Sequence, residues 1–234
     1  MDSKIESVFA REGSAHPPVV KICGLQDVSH ARAAALAGAD MLGLMLAPSR
    51  RRTTPRAIRT IREALQSEGQ EPLLVGVFVN ATADEINEAV ADAGLDVAQL
   101  SGDERPEVID QITVPVIKAV RPEPGAPETE LLRTSDLWFD RARPVRAFLL
   151  DAHVPGSYGG AGVLGNWTAA ALVARRYPVL LAGGLNAANV SQAITSVRPL
   201  GVDVSSSVEV EGVKDPALIE AFVEAARANT YESS

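Results

Sequence analysis

Val19-Val20-Lys21-Ile22-Cys23-Gly24 is a short apolar run that ends in a thiol and a glycine. An alanine-rich stretch with helical spacing follows from Asp27 to Ala37 and stops at Gly38, with Asp27 and Ser29 both suited to cap it. The same two-part unit recurs, eight times in all. Further strands are expected at Met41–Leu46, Leu73–Val79, Val97–Leu100, Val116–Val120, Val145–Asp151, Val179–Ala182 and Val202–Ser205. Helices are expected from near Pro55, and over Asp84–Ala93, Arg105–Gln111, Glu128–Leu137, Trp167–Arg176, Ala187–Ser196 and Pro216–Arg227. The strands are predominantly apolar runs, as expected of strands buried on both faces. Such alternation gives a parallel sheet, either open and doubly wound or closed. Eight units in 234 residues, against about 250 typical of the closed form, favour a single-domain (β/α)8 TIM barrel.

Residues 1–17 are polar and mixed in charge, and are expected to precede the fold as a poorly ordered extension, leaving 18–230 for the barrel. The net charge of −8 argues against nucleic-acid or anionic-membrane partners. The single cysteine allows no internal disulfide, and no apolar run approaches the roughly 20 residues of a membrane span. A secretory leader is not evident at the N-terminus. These features suggest a cytoplasmic protein acting on a small molecule, and a monomer is expected.

In a barrel, the carboxyl ends of all strands meet at one mouth, where active sites lie. Cys23 and Asp151 end two of these strands. A lone cysteine is most often core packing, and an aspartate at such a boundary often starts a turn. Placed together at the mouth, a thiolate base and a carboxylic acid form a proton-transfer pair, provided a nearby cation lowers the thiol pKa. Gly159-Gly160-Ala161-Gly162, Gly183-Gly184 and Ser205-Ser206-Ser207 follow strands six, seven and eight, where barrels often bind phosphate. Arg50-Arg51-Arg52 follows strand two, and one of the three could clamp a carboxylate. His16, His30 and His153 have no metal-ligand spacing, and neither a metal nor a cofactor is implied.

Several motifs then occur in order: Lys21-Ile22-Cys23-Gly24, Val75-Gly76-Val77-Phe78-Val79-Asn80, Gln99-Leu100-Ser101-Gly102-Asp103-Glu104, Val116-Ile117-Lys118-Ala119-Val120, Leu149-Leu150-Asp151, Ala182-Gly183-Gly184-Leu185-Asn186 and Val202-Asp203-Val204-Ser205-Ser206. On these the chain resembles the phosphoribosylanthranilate isomerase family over about residues 19–227. The resemblance implies a TIM barrel that catalyses an Amadori rearrangement without metal or cofactor. It implies Cys23 as general base, Asp151 as general acid and Arg51 as the clamp on the anthranilate carboxylate. Gly183, Gly184, Ser205 and Ser206 would hold phosphate, with Gly160 and Gly162 on the neighbouring loop. Ser101 and Asp203 are expected among the substrate-binding residues. The chain departs from the family pattern at Ser101, where histidine is usual, and at Ser207, where glycine is usual. It departs again at Leu44-Met45-Leu46 and Val163-Leu164-Gly165-Asn166. Two other readings fit: the same rearrangement on another N-phosphoribosyl amine, and a barrel that binds a sugar phosphate without turnover.

Overall fold

A computed structural model describes residues 2–9, 16–121, 128–139, 145–151 and 164–229. Eight parallel strands close into one barrel in sequence order: β1 (Val19–Cys23), β2 (Met41–Met45), β3 (Leu73–Phe78), β4 (Val97–Leu100), β5 (Val116–Val120), β6 (Ala147–Asp151), β7 (Val179–Ala182) and β8 (Gly201–Val204). β8 returns to pair with β1, with Lys21 opposite Asp203. Closure excludes the open doubly wound alternative.

Side chains alternate along each strand, and the alternation divides the core. Val20, Ile22, Leu42, Leu44, Leu74, Leu181 and Val202 point outward into the layer beneath the helices. Val19, Met41, Leu73, Val97, Ile117, Ala147 and Leu180 point inward and fill the amino-terminal half of the barrel. Further along, the inward columns turn polar: Lys21 and Cys23 on β1, Gln99 on β4, Asp151 on β6 and Asp203 on β8. The apolar half is the packed base, and the polar half is the mouth.

The lead segment is not merely an extension. Asp2–Phe9 form a helix, α1, and its Ile5, Val8 and Phe9 are buried among the inward residues of the base. Glu6 accepts a hydrogen bond from Arg146 at 2.6 Å, and the same guanidinium lies over the Phe9 ring. The i, i+3, i+4 spacing of these three apolar residues accounts for the helix. For residues 2–9 this replaces the expectation of poor order.

The outer helices are α2 (Val28–Leu36), α3 (Pro55–Ser67), α4 (Ala83–Ala93), α5 (Glu128–Phe139), α6 (Leu164–Ala174), α7 (Val190–Val197) and α8 (Pro216–Arg227). Asp27, not Ser29, caps α2 by accepting from the His30 N–H. Thr54, Thr82 and Asp215 cap α3, α4 and α8 in the same way, and Thr82 with Glu85 forms a capping box. Three helical expectations change. α6 starts three residues earlier than expected, at Leu164. Pro106–Gln111 form a 3-10 helix, the tighter form that suits a short connector. α7 starts three residues later than its spacing suggests. Asn186 Oδ1 accepts from the Ala188 and Asn189 N–H groups, and this side-chain turn competes with the first helical turn. After β8, a small antiparallel hairpin of β9 (Glu209–Val210) and β10 (Val213–Lys214) leaves the barrel.

Candidate active site

A cavity of about 500 Å³ opens at the carboxyl ends of the strands. It is lined by Cys23, Arg51, Ser101, Asp151, Gly183, Gly184, Asp203, Ser205 and Ser206, so the strand-end candidates converge as a barrel requires. Gly160 and Gly162 lie outside the described residues.

Cys23 is buried. Desolvation pushes its thiol pKa up, and the Lys21 ammonium pulls against that rise. Lys21 Nζ donates to Asp203 Oδ1 at 2.6 Å inside the barrel. Burial opposes the charge on Lys21, but Asp203 and Cys23 overcome it, and its pKa lies above the ordinary lysine range. Asp203 lines the cavity with its Oδ1 engaged by Lys21.

Asp151, half-buried, ends β6, with Arg121 Nε 3.8 Å from its Oδ2. Arg121 also lines the cavity, as the next inward position beyond Ala119 of β5.

Of the three arginines, only Arg51 lines the cavity. Its Nε and one terminal nitrogen bind Glu209 of β9 at 2.6 and 2.9 Å, and Nη1 makes neither bond. Arg50 meets the same carboxylate from the exposed side at 2.8 Å. Lys214 of β10 adds a third cation to Glu209 at 2.8 Å. Burial works against the Glu209 charge, but the Arg51 and Lys214 contacts win and bring its pKa down to about 2.

The loops after β7 and β8 are adjoining. Ser207 Oγ donates to the Leu185 carbonyl, and Ser205 Oγ donates to the Cys23 carbonyl at 3.0 Å. Gly184 has φ +69°, and a Cβ there would meet nothing within 4 Å, so its backbone borders open space. The Ser205 hydroxyl is committed to the β1 backbone, whereas Ser206 is exposed.

On the opposite wall, Gln99 Nε2 donates to Ser101 Oγ at 3.1 Å. Gln99 Oε1 is buried with no hydrogen-bond partner among the described residues. The other residues of this motif serve structure. Glu104 accepts from the Asn80 and Gly102 N–H groups and pairs with Lys118 at 2.7 Å, fixing the loops around Ser101. Of Leu44-Met45-Leu46, only Met45 lines the cavity, and Leu44 packs outward beneath the helices.

A closed parallel barrel with a thiol, a carboxyl group and glycine-rich loops at one mouth defines a (β/α)8 enzyme built for acid–base chemistry on a small anion. A sequence model of N-(5'-phosphoribosyl)anthranilate (PRA) isomerase matches residues 20–225. The N-(5'-phosphoribosyl)anthranilate isomerase of Roseiflexus castenholzii is 48% identical over 216 residues, covering 90% of this chain and 98% of that protein. The crystal structure of phosphoribosyl anthranilate isomerase from Thermotoga maritima superposes with a TM-score of 0.76 at 33% identity, covering 91% of this chain and all of that one. A further structure of such an isomerase, in complex with reduced 1-(o-carboxyphenylamino)-1-deoxyribulose 5-phosphate, gives a TM-score of 0.73 at 31% identity, with 91% and 100% coverage. The chain belongs to the N-(5'-phosphoribosyl)anthranilate isomerase family of tryptophan biosynthesis. Its reaction is the family's Amadori rearrangement of N-(5-phosphoribosyl)anthranilate.

Proposed function

We propose that Cys23 and Asp151 divide the two proton transfers of this rearrangement. Asp151 donates a proton to the ring oxygen of the phosphoribosyl group. The C1′–O bond breaks, and the amine nitrogen lone pair forms the C=N bond of an open-chain iminium. Cys23, as thiolate, removes the C2′ proton, and the electron pair of that bond neutralises the iminium. The resulting enolamine tautomerises to 1-(2-carboxyphenylamino)-1-deoxyribulose 5-phosphate. Each proton-transfer group contributes roughly 10²–10⁴ in rate. Anchoring the phosphate and carboxylate supplies orientation. The observation that supports this division is the placement of both groups in one cavity, on strands β1 and β6 of the closed barrel.

Arg51 is assigned to the substrate carboxylate through the guanidinium edge not used by Glu209. Backbone N–H groups at Gly183-Gly184 and Ser205-Ser206 are assigned to the phosphate, with Gly160 and Gly162 beside them. Gln99 and Ser101 face the same space, where the Ser101 hydroxyl is both donor and acceptor for a substrate group. A monomer is the assigned state, with the exposed large apolar side chains Leu36, Val79, Leu137, Val210, Val213 and Leu218 divided among helices, a strand end and the hairpin. Among the described residues no helix is long and apolar enough to cross a membrane. The cytoplasm is the assigned compartment, and the lone thiol suits reducing conditions there.

The test is a coupled assay with freshly made phosphoribosylanthranilate, following the loss of anthranilate-type fluorescence. Turnover that disappears in Cys23→Ser and Asp151→Asn is expected. Full turnover in either variant removes that residue from its role.

A further inference from the structure

Lys21 is a fully buried cation that the steps above do not use. A lysine in the middle of an apolar strand is costly unless its charge is paired. Here the closed barrel supplies the pair, because β8 brings Asp203 into register with Lys21. Two residues further along β1, on the same inward face, stands Cys23. The strand alongside has Gly43 opposite Cys23. A Cβ at Gly43 would lie 2.7 Å from Cys23 Sγ and 3.0 Å from Lys21 Nζ. The thiol and the ammonium therefore share the space left by a missing side chain.

We propose that Lys21, anchored by Asp203, is the positioning residue that readies Cys23 for proton abstraction, its ammonium serving as the fixed counter-charge of the thiolate. The proposal rests on Cys23 being the base. The other charges facing the thiol are Asp203 on β8, which opposes its ionisation, and the cations Lys214 on β10 and Arg51 after β2. Those two cations are both committed to Glu209, whereas Lys21 Nζ and Cys23 Sγ border the same small space beside Gly43. Asp203 prevents the buried ammonium from losing its proton, at the expense of part of its pull on the thiol.

The chain has one cysteine, so thiol chemistry reports on Cys23 alone. The rate of iodoacetamide alkylation against pH, without substrate, gives its ionisation midpoint. In Lys21→Met the midpoint is expected to rise by about one pH unit or more, the scale of a lost opposite charge. The acidic limb of kcat/KM should move the same way, with kcat near pH 7.5 falling about tenfold and KM little changed. The double variant Lys21→Met/Asp203→Asn replaces both charges with neutral groups of similar shape and leaves no orphan charge in the core. It carries the test if the single variant does not fold, and a smaller rise in the same direction is expected, because the Asp203 charge that opposes thiol ionisation is removed as well. An unshifted thiol midpoint in a folded variant overturns the role of Lys21. A shifted midpoint with an unmoved pH–rate profile overturns Cys23 as the base and leaves the Lys21–thiol coupling standing.

Discussion

Arg51 and Glu209 form a two-pronged ion pair at the rim of the cavity, with Nε and a terminal nitrogen on the two carboxylate oxygens at 2.6 and 2.9 Å. This pair fixes the plane of the guanidinium before any substrate arrives. Arg51→Ala is expected to raise KM for phosphoribosylanthranilate by about 10- to 150-fold, the scale of a charge-assisted contact of roughly 1.5–3 kcal/mol. Arg50→Ala should leave KM within about twofold, since an exposed ion pair contributes little. Steady-state kinetics separate the two, and the reverse ranking would transfer the clamp to Arg50.

Glu209 makes the same rim sensitive to acid. Its folded pKa, about 2, lies below its ordinary value of 4.5. A depressed carboxylate pKa stabilises the fold above the unfolded value, and the effect is lost as pH falls through the folded one. The melting temperature of the parent should therefore decline between about pH 4.5 and pH 2 through this group. In Glu209→Gln that part of the decline should be absent, with the melt already lower at neutral pH. Thermal melts across this range measure it, and parallel curves for the two proteins would show that the network stores no pH-dependent stability.

Cys23→Ser and Asp151→Asn should each lower kcat by at least about 10²-fold while leaving the melting temperature within a few degrees. Rate measurements and melts on the same preparations check both halves. A large loss of stability would mean that the residue is packing and not chemistry.

Inorganic phosphate should inhibit competitively by occupying the space bordered by Gly184 and Ser206. Gly184→Ala puts a methyl group into that space at φ +69°, a conformation side chains disfavour. The inhibition constant for phosphate should rise about tenfold or more, since one lost charge-assisted contact is worth about that. An unchanged constant would place the anion elsewhere.

Removal of residues 1–9 should lower the melting temperature by on the order of 5–10 °C without changing kcat. Ile5, Val8 and Phe9 each bury apolar area worth roughly 1.5–3 kcal/mol, partly offset by the cost of ordering the segment. Melting and turnover of the truncated chain are the measurements, and an unshifted melt would show that the base packs as well without the helix.

The strands were legible because each is a predominantly apolar run, and Val97–Leu100, Val116–Val120 and Val179–Ala182 keep their expected bounds. Cys23 and Asp151 were legible because strand ends in a barrel share one mouth. The helix at Asp2–Phe9 carried a signal in the spacing of Ile5, Val8 and Phe9, but it is short and surrounded by charge. Lys21 also left a mark, as a charged residue inside an apolar strand. Its partner lies 182 residues away, and only barrel closure reveals the pairing. Arg121 stood beyond a strand in a proline-rich stretch, where local pattern says little about direction. Glu209 and Lys214 belong to a two-residue-strand hairpin with no periodicity to read, and their role depends wholly on what they touch.

That hairpin divides the molecule mechanically. The groups assigned to proton transfer are built into barrel strands, where any shift disturbs the core. The arginine assigned to the aromatic end of the substrate is held instead by a carboxylate on β9, outside the barrel. The hairpin thus bears on both ends of the site, through Glu209 on Arg51 and through Lys214 on the Ser205 carbonyl. A library confined to residues 210–213, which leaves those two side chains in place, would change how the rim is presented to the amine while the rate of the rearrangement itself is inherited intact.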